Sequence, residues 1–116
     1  MTITRIGVGA RMSKAVVHNG VVYLAGQVAN KMAGQSVAEQ TREIVAIIDQ
    51  LLAEAGSDKT KMLSATIYLA DIKTFLEMNS VWDTWVAQGH TPARATVEAR
   101  LAAPQYTVEI AVIAAK

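Results

Sequence analysis

Between residues 36 and 56 a largely apolar set returns every three or four positions: Val37, Thr41, Ile44, Val45, Ile48, Leu51, Leu52 and Ala55. Glu39, Arg42, Glu43, Asp49, Gln50 and Glu54 fall on the opposite side. That period is the mark of an amphipathic helix with one face on a core. Ser36 and Glu39 form a capping box that starts it, and Gly56 ends it. A second helix opens at Asp71, an N-cap residue type, and carries Ile72, Phe75, Leu76, Asn79, Trp82 and Val86 on one face, with Met78 and Trp85 widening it. Gly89 closes it ahead of Pro92.

Elsewhere the period falls to two. Lys14–His18 and Val21–Ala25 flank Asn19-Gly20, the strongest short signal for a β-hairpin because both turn residues tolerate positive φ. Lys61–Ala70 alternates Leu63, Ala65, Ile67 and Leu69 against Met62, Ser64, Thr66 and Tyr68, and Ile3–Val8 can supply a short edge strand. The stretches 91–101 and 106–113 read as two further strands joined by the turn 102–105, and are expected to lie side by side. The resulting order, β-β-α-β-α-β-β, predicts an α+β fold: one mixed sheet with both helices on one face, in a single domain spanning 1–116. Val21–Ala25, Met62–Leu69 and Val108–Ile113 are apolar on both faces, so the face without helices is expected to be covered by another chain.

Two charged residues interrupt these strands. Arg94, Thr96, Glu98 and Arg100 share one face of the first strand, a face too polar for a dry core, and Glu109 is the only charge in the second. A carboxylate in such a run must be solvated, paired or used. A guanidinium presents a planar fork that fits a carboxylate, and a glutamate can hold a water and pass a proton, so Arg94 and Glu109 are the first site candidates. Together they suit small carboxylic acids.

Composition narrows the alternatives. Eleven basic and ten acidic residues are interspersed, so there is no cationic stripe for nucleic acid. Cysteine is absent, which removes disulfides and thiolate chemistry and fits a reducing cytoplasm. His18 lies beside the hairpin turn and His90 stands alone, so no metal set is expected. Gly7-Val8-Gly9 has no third glycine and no strand-to-helix setting, and is read as a loop. Residues 1–11 contain no apolar leader, and no run reaches the roughly 18 apolar residues of a membrane-spanning helix.

The run Pro92-Ala93-Arg94-Ala95-Thr96-Val97-Glu98, the later Val108-Glu109-Ile110 and the upstream Asn19-Gly20-Val21-Val22-Tyr23-Leu24-Ala25-Gly26-Gln27 together resemble the RidA (YjgF) family of enamine/imine deaminases across the whole length. The resemblance implies a chorismate-mutase-like fold, a cytoplasmic homotrimer with clefts between subunits, no cofactor, and hydrolysis of 2-imino acids to 2-oxo acids and ammonia. It implies that Arg94 clamps the substrate carboxylate and that Glu109 manages the attacking water. Gly26 would bring backbone close to the ligand, and Asn79 falls at a site-proximal asparagine. Met12 stands where well-studied members have tyrosine, and Ala25 where they have serine. Both changes remove hydroxyls, which leaves a more apolar pocket and two outcomes: another substrate, or a noncatalytic protein that binds 2-oxo acids. Nuclease activity, ascribed to some relatives, finds no support in the charge pattern.

Overall fold

The computed structural model describes residues 2–116; Met1, the first residue of the stretch read for a leader, lies outside them. Six strands form one sheet: β1 (Ile3–Ile6), β2 (Ala15–His18), β3 (Val21–Leu24), β4 (Met62–Leu69), β5 (Ala93–Glu98) and β6 (Val108–Ala115). Helices α1 (Val37–Glu54) and α2 (Phe75–Trp85) lie on one face of it. The spatial order is β1-β2-β3-β6-β4-β5, antiparallel throughout except for the parallel pair β4-β5. The α+β reading therefore holds, with Ile3–Ile6 joining as the edge strand.

The hairpin forms as its turn residues require: Asn19 and Gly20 both take positive φ, at 54° and 76°, and His18 pairs with Val21. The capping box forms in part: Glu39 Oε1 accepts from the Ser36 hydroxyl at 3.1 Å rather than from the Ser36 amide. Ser36 Oγ accepts from the Glu39 amide at 3.2 Å, and the whole predicted stripe of α1 is buried. The second helix differs from expectation. Asp71 caps a single 3-10 turn, Ile72–Thr74, by accepting from the Lys73 amide, and the α-helix proper runs only from Phe75 to Trp85. Leu76 consequently points outward at 79% exposure, while Met78 is fully buried.

Two strand expectations need correction. In β4 the pairing slips between Met62 and Ser64, a β-bulge that turns Met62 into the core and leaves Leu63 half exposed. Ala65, Ile67 and Leu69 are buried as predicted. The 91–101 and 106–113 strands are not neighbours: β4 lies between β5 and β6. The reason is apolar content. β6 presents Val108, Ile110, Val112 and Ala114 to the helices and Ala111 and Ile113 to the other face, so it belongs at the sheet centre between β3 and β4. β5, with Arg94, Thr96 and Glu98, is suited to an edge.

Register also assigns the faces. Arg94, Thr96 and Glu98 pair with Ala65, Ile67 and Leu69, all core residues, so the polar side of β5 is the side that carries the helices. The opposite face holds Val97, Tyr68 and Glu109 in one row, with Tyr23 and Ile113 in another. Val97, Tyr23 and Ile113 are 43%, 45% and 37% exposed, so this face is apolar and uncovered within the chain.

Candidate functional site

The predicted residues gather into two groups: Arg94 with Asn79 on the helix side of the sheet, and Gly26 with Glu109 on the other side and with Met12 in a groove that α1 helps to line. On the helix side, Arg94 leaves the β5 edge and reaches α2. Its Nη1 donates to Asn79 Oδ1 at 2.9 Å, and its guanidinium carbon lies 5.4 Å from the Trp82 ring centroid and 5.7 Å from that of Phe75. Phe75, Asn79 and Trp82 are spaced i, i+4 and i+7, so one stripe of α2 supplies all three contacts. Asn79 thus has a defined role as the acceptor for Arg94. The partner is a neutral amide, so the guanidinium keeps its charge and the donors that Asn79 does not use.

Thr96 follows on the same face, and its Oγ1 is buried without a hydrogen-bond partner.

On the open face Glu109 is half-buried beside Gly26. The chain leaves β3 through Ala25 and runs along β6: Ala25 N donates to Lys14 O at 2.9 Å, while Gln27 and Ile110 exchange backbone bonds of 2.9 and 3.1 Å. These bonds press Gly26 against the Glu109 side chain. A Cβ added to Gly26 would fall 2.9 Å from Glu109 Cδ and closer still to its Oε2, so only glycine admits the carboxylate at this place. Gln27 steadies the turn by donating from Nε2 to Ala25 O at 2.8 Å.

Met12 is exposed and lines a groove of about 490 Å³ with Gly7, Lys14, Gly26, Gln27 and α1 residues Gln50 and Glu54. Met12 and Gly26 therefore share a groove, with Ala25 adjoining in sequence. The structure brings Arg94 to Asn79, and Gly26 to Glu109 and Met12, but it does not bring Arg94 to Glu109 within one chain. Alternation along the strands forbids it: Glu109 pairs with Tyr68, on the face opposite Ala65 and Arg94. A larger hollow, about 780 Å³, lies under residues 99–106 beside Glu98 and Tyr106, and contains none of the predicted site residues.

Two polar residues of α1 tie it to the loops: Gln40, absent from the apolar stripe read from the sequence, and Glu43, on its predicted solvent side. Gln40 is fully buried. Its Nε2 donates to Gln35 O at 3.0 Å and Gln105 O at 3.1 Å, and its Oε1 accepts from Thr107 N at 3.1 Å, tying α1 to the start of β6. Glu43 accepts from the amides of Asn30, Lys31 and Met32 at 3.0, 3.1 and 2.9 Å. Desolvation pushes its carboxyl up, but those three amides and the Lys31 charge together hold it below the ordinary value of 4.5. Gln40 falls at helical spacing between Val37 and Ile44, so the period marks its burial, while its partners and those of Glu43 are loop backbone groups that no period marks. Among the described residues no group of three or more His, Cys, Asp or Glu side chains is arranged to hold a metal ion, and no helix is long and apolar enough to cross a membrane.

Comparison with known proteins places this geometry in a family. A family model described as endoribonuclease L-PSP matches residues 2–116. A RutC family protein of Haemophilus influenzae is 48% identical over 114 residues, covering 98% of each chain. A rat protein named 2-iminobutanoate/2-iminopropanoate deaminase is 32% identical over 107 residues, 88% of this chain and 77% of its own. The crystal structure of a YjgF family protein from Neisseria meningitidis superposes with a TM-score of 0.97 at 51% identity, covering 100% of this chain and 96% of that one. The chain belongs to the RidA (YjgF) family.

Proposed function

We propose that this protein is a cytoplasmic homotrimer that hydrolyses reactive 2-imino and 2-enamino acids to 2-oxo acids and ammonia, in clefts where Arg94 of one subunit meets Glu109 of its neighbour. The observation that carries the reading is Arg94 itself: a guanidinium aimed by a neutral amide and two aromatic rings, with its charge left for a carboxylate. Placement of Arg94 and Glu109 on opposite faces supports a site completed by a second copy, and the uncovered apolar face supplies a surface for one. The rat relative's name supports the reaction class.

In this reading the enamine first tautomerises to the imine. Arg94 binds the substrate carboxylate through paired N–H donors and fixes the imine carbon over Glu109. Glu109 accepts a proton from water as its oxygen bonds to that carbon, giving a tetrahedral carbinolamine. Glu109 passes the proton to nitrogen, the C–N bond breaks as the hydroxyl returns its own proton to Glu109 and the carbonyl forms, and ammonia leaves with the 2-oxo acid. The iminium carbon is already electrophilic, so orientation and proton transfer suffice.

A noncatalytic 2-oxo acid binding protein is the second reading, favoured by one observation: the groove beside Gly26 carries Met12 in place of a hydroxyl. The deciding experiment generates imines in situ with an amino-acid oxidase, traps the uncatalysed intermediate with semicarbazide, and follows 2-oxo acid release. Acceleration by the wild type, lost in both Arg94→Ala and Glu109→Ala, supports the deaminase. No acceleration for any imine, with Arg94-dependent pyruvate binding intact, selects the binding protein.

A further inference from the structure

We infer that Phe75 and Trp82 are positioning residues for Arg94, forming with Asn79 a three-point cradle on α2 that sets the direction of the guanidinium before any ligand arrives. The inference rests on the carboxylate-binding reading of Arg94.

An arginine side chain has four rotatable bonds, and on an exposed strand edge it would sample many rotamers. Here three contacts restrict it. Asn79 Oδ1 takes one N–H at 2.9 Å and fixes the in-plane direction. The Trp82 and Phe75 rings lie 5.4 and 5.7 Å from Cζ, within the range where a cation is held by a ring's quadrupole. Trp82 is itself anchored: it is buried and packs on Trp85, with ring centroids 5.3 Å apart. Asp49 accepts from Trp85 Nε1 at 2.9 Å, so α1 braces the support from behind.

The choice of supports matters chemically. A carboxylate at the Asn79 position would hold Arg94 equally well but neutralise it, and would compete with the incoming acid. Rings and an amide orient the cation and leave its donors to the ligand. Restricting the side chain beforehand removes an ordering cost that binding would otherwise carry.

The test uses pyruvate, a stable 2-oxo acid, titrated calorimetrically into the full chain. Trp82→Leu keeps an apolar filling and removes the ring, Trp82→Phe restores a ring, and Phe75→Leu makes the matching change at a less buried site. We expect pyruvate affinity to fall about threefold to tenfold in Trp82→Leu and Phe75→Leu, and to recover largely in Trp82→Phe. With imine substrates the same variants should raise KM and leave kcat within about twofold, because the interaction acts equally on ground and transition states. Unchanged pyruvate affinity in folded Phe75→Leu and Trp82→Leu would overturn the cradle, and a melting temperature for each variant identifies those that fold. The parent reading fails differently: wild type and Arg94→Ala would then bind pyruvate equally or not at all.

Discussion

The contact between Gly26 and Glu109 gives a way to move one carboxylate without changing its charge. In Gly26→Ala the new Cβ would sit 2.9 Å from Glu109 Cδ and closer still to Oε2. Ordinary contact needs roughly 3.4–4 Å, so the carboxylate must retreat by about 1 Å or more. The obstructing atoms are the far end of a flexible side chain, and Glu109 is half-buried on an open face, so it can rotate. An off-rotamer displacement of that size costs about 0.5–1.5 kcal/mol, too little to unfold a domain. Misplacing a reacting group by about 1 Å costs on the order of 10²-fold in rate. Gly26→Ala should therefore melt within a few degrees of the wild type and, if the proposed deaminase reading holds, lose most imine hydrolysis. The double variant Gly26→Ala/Glu109→Ala separates mechanism from damage: once the carboxylate is gone, the added methyl should change the rate no further. Equal losses from Gly26→Ala in the presence and absence of Glu109 would refute the reasoning, since the methyl would then be acting on something else.

Other outcomes follow from the same contacts. Gln40→Leu takes away the partners of Gln35 O and the Thr107 amide, while Gln105 O keeps its bond from Gly34 N, and should lower unfolding stability by about 1–3 kcal/mol, read by urea denaturation. Glu43 has a depressed folded pKa, so its contribution is present above the unfolded glutamate value of 4.5 and is lost as pH falls through the lower folded value. Glu43→Gln should thus flatten the acid limb of the stability curve below about pH 4.5; an unchanged limb in thermal melts from pH 3 to 7 would contradict this. Ile113→Lys puts a charge into the uncovered apolar face and should dissociate the proposed trimer, seen as a fall in sedimentation coefficient, with the proposed Glu109-dependent hydrolysis lost alongside.

The sequence patterns that survived are those in which one interaction dominates. Asn19-Gly20 determines its own backbone, and the α1 stripe has no other way to bury eight side chains. The patterns that shifted depend on neighbours the sequence does not display. Strands 91–101 and 106–113 adjoin in sequence, but placing β6 centrally pairs both its edges and buries its helix-side face, and that gain outweighs the shorter turn. The polar face of β5 was recognised as no dry core, yet its orientation toward α2 could be seen only with the Phe75–Trp82 stripe in place. Arg94 and Glu109 were legible as residue types; their separation onto two faces is a fact of register. The contacts of Gln40 and Glu43 were invisible because the partners are backbone groups of distant loops, which no side-chain pattern encodes.

The central place of β6 has a consequence for how the molecule is made. Its pairs with β3 and β4 join residues at least 39 positions apart in the chain, so the sheet has no continuous middle until the last of its strands is synthesised. Without β6 the strand order leaves β1–β3 and the pair β4-β5 with no strand to join them, each with an unpaired edge. A ribosome paused before residue 108 would display both edges, and release of β6 would close them in one step, installing Glu109 against Gly26 in the same event.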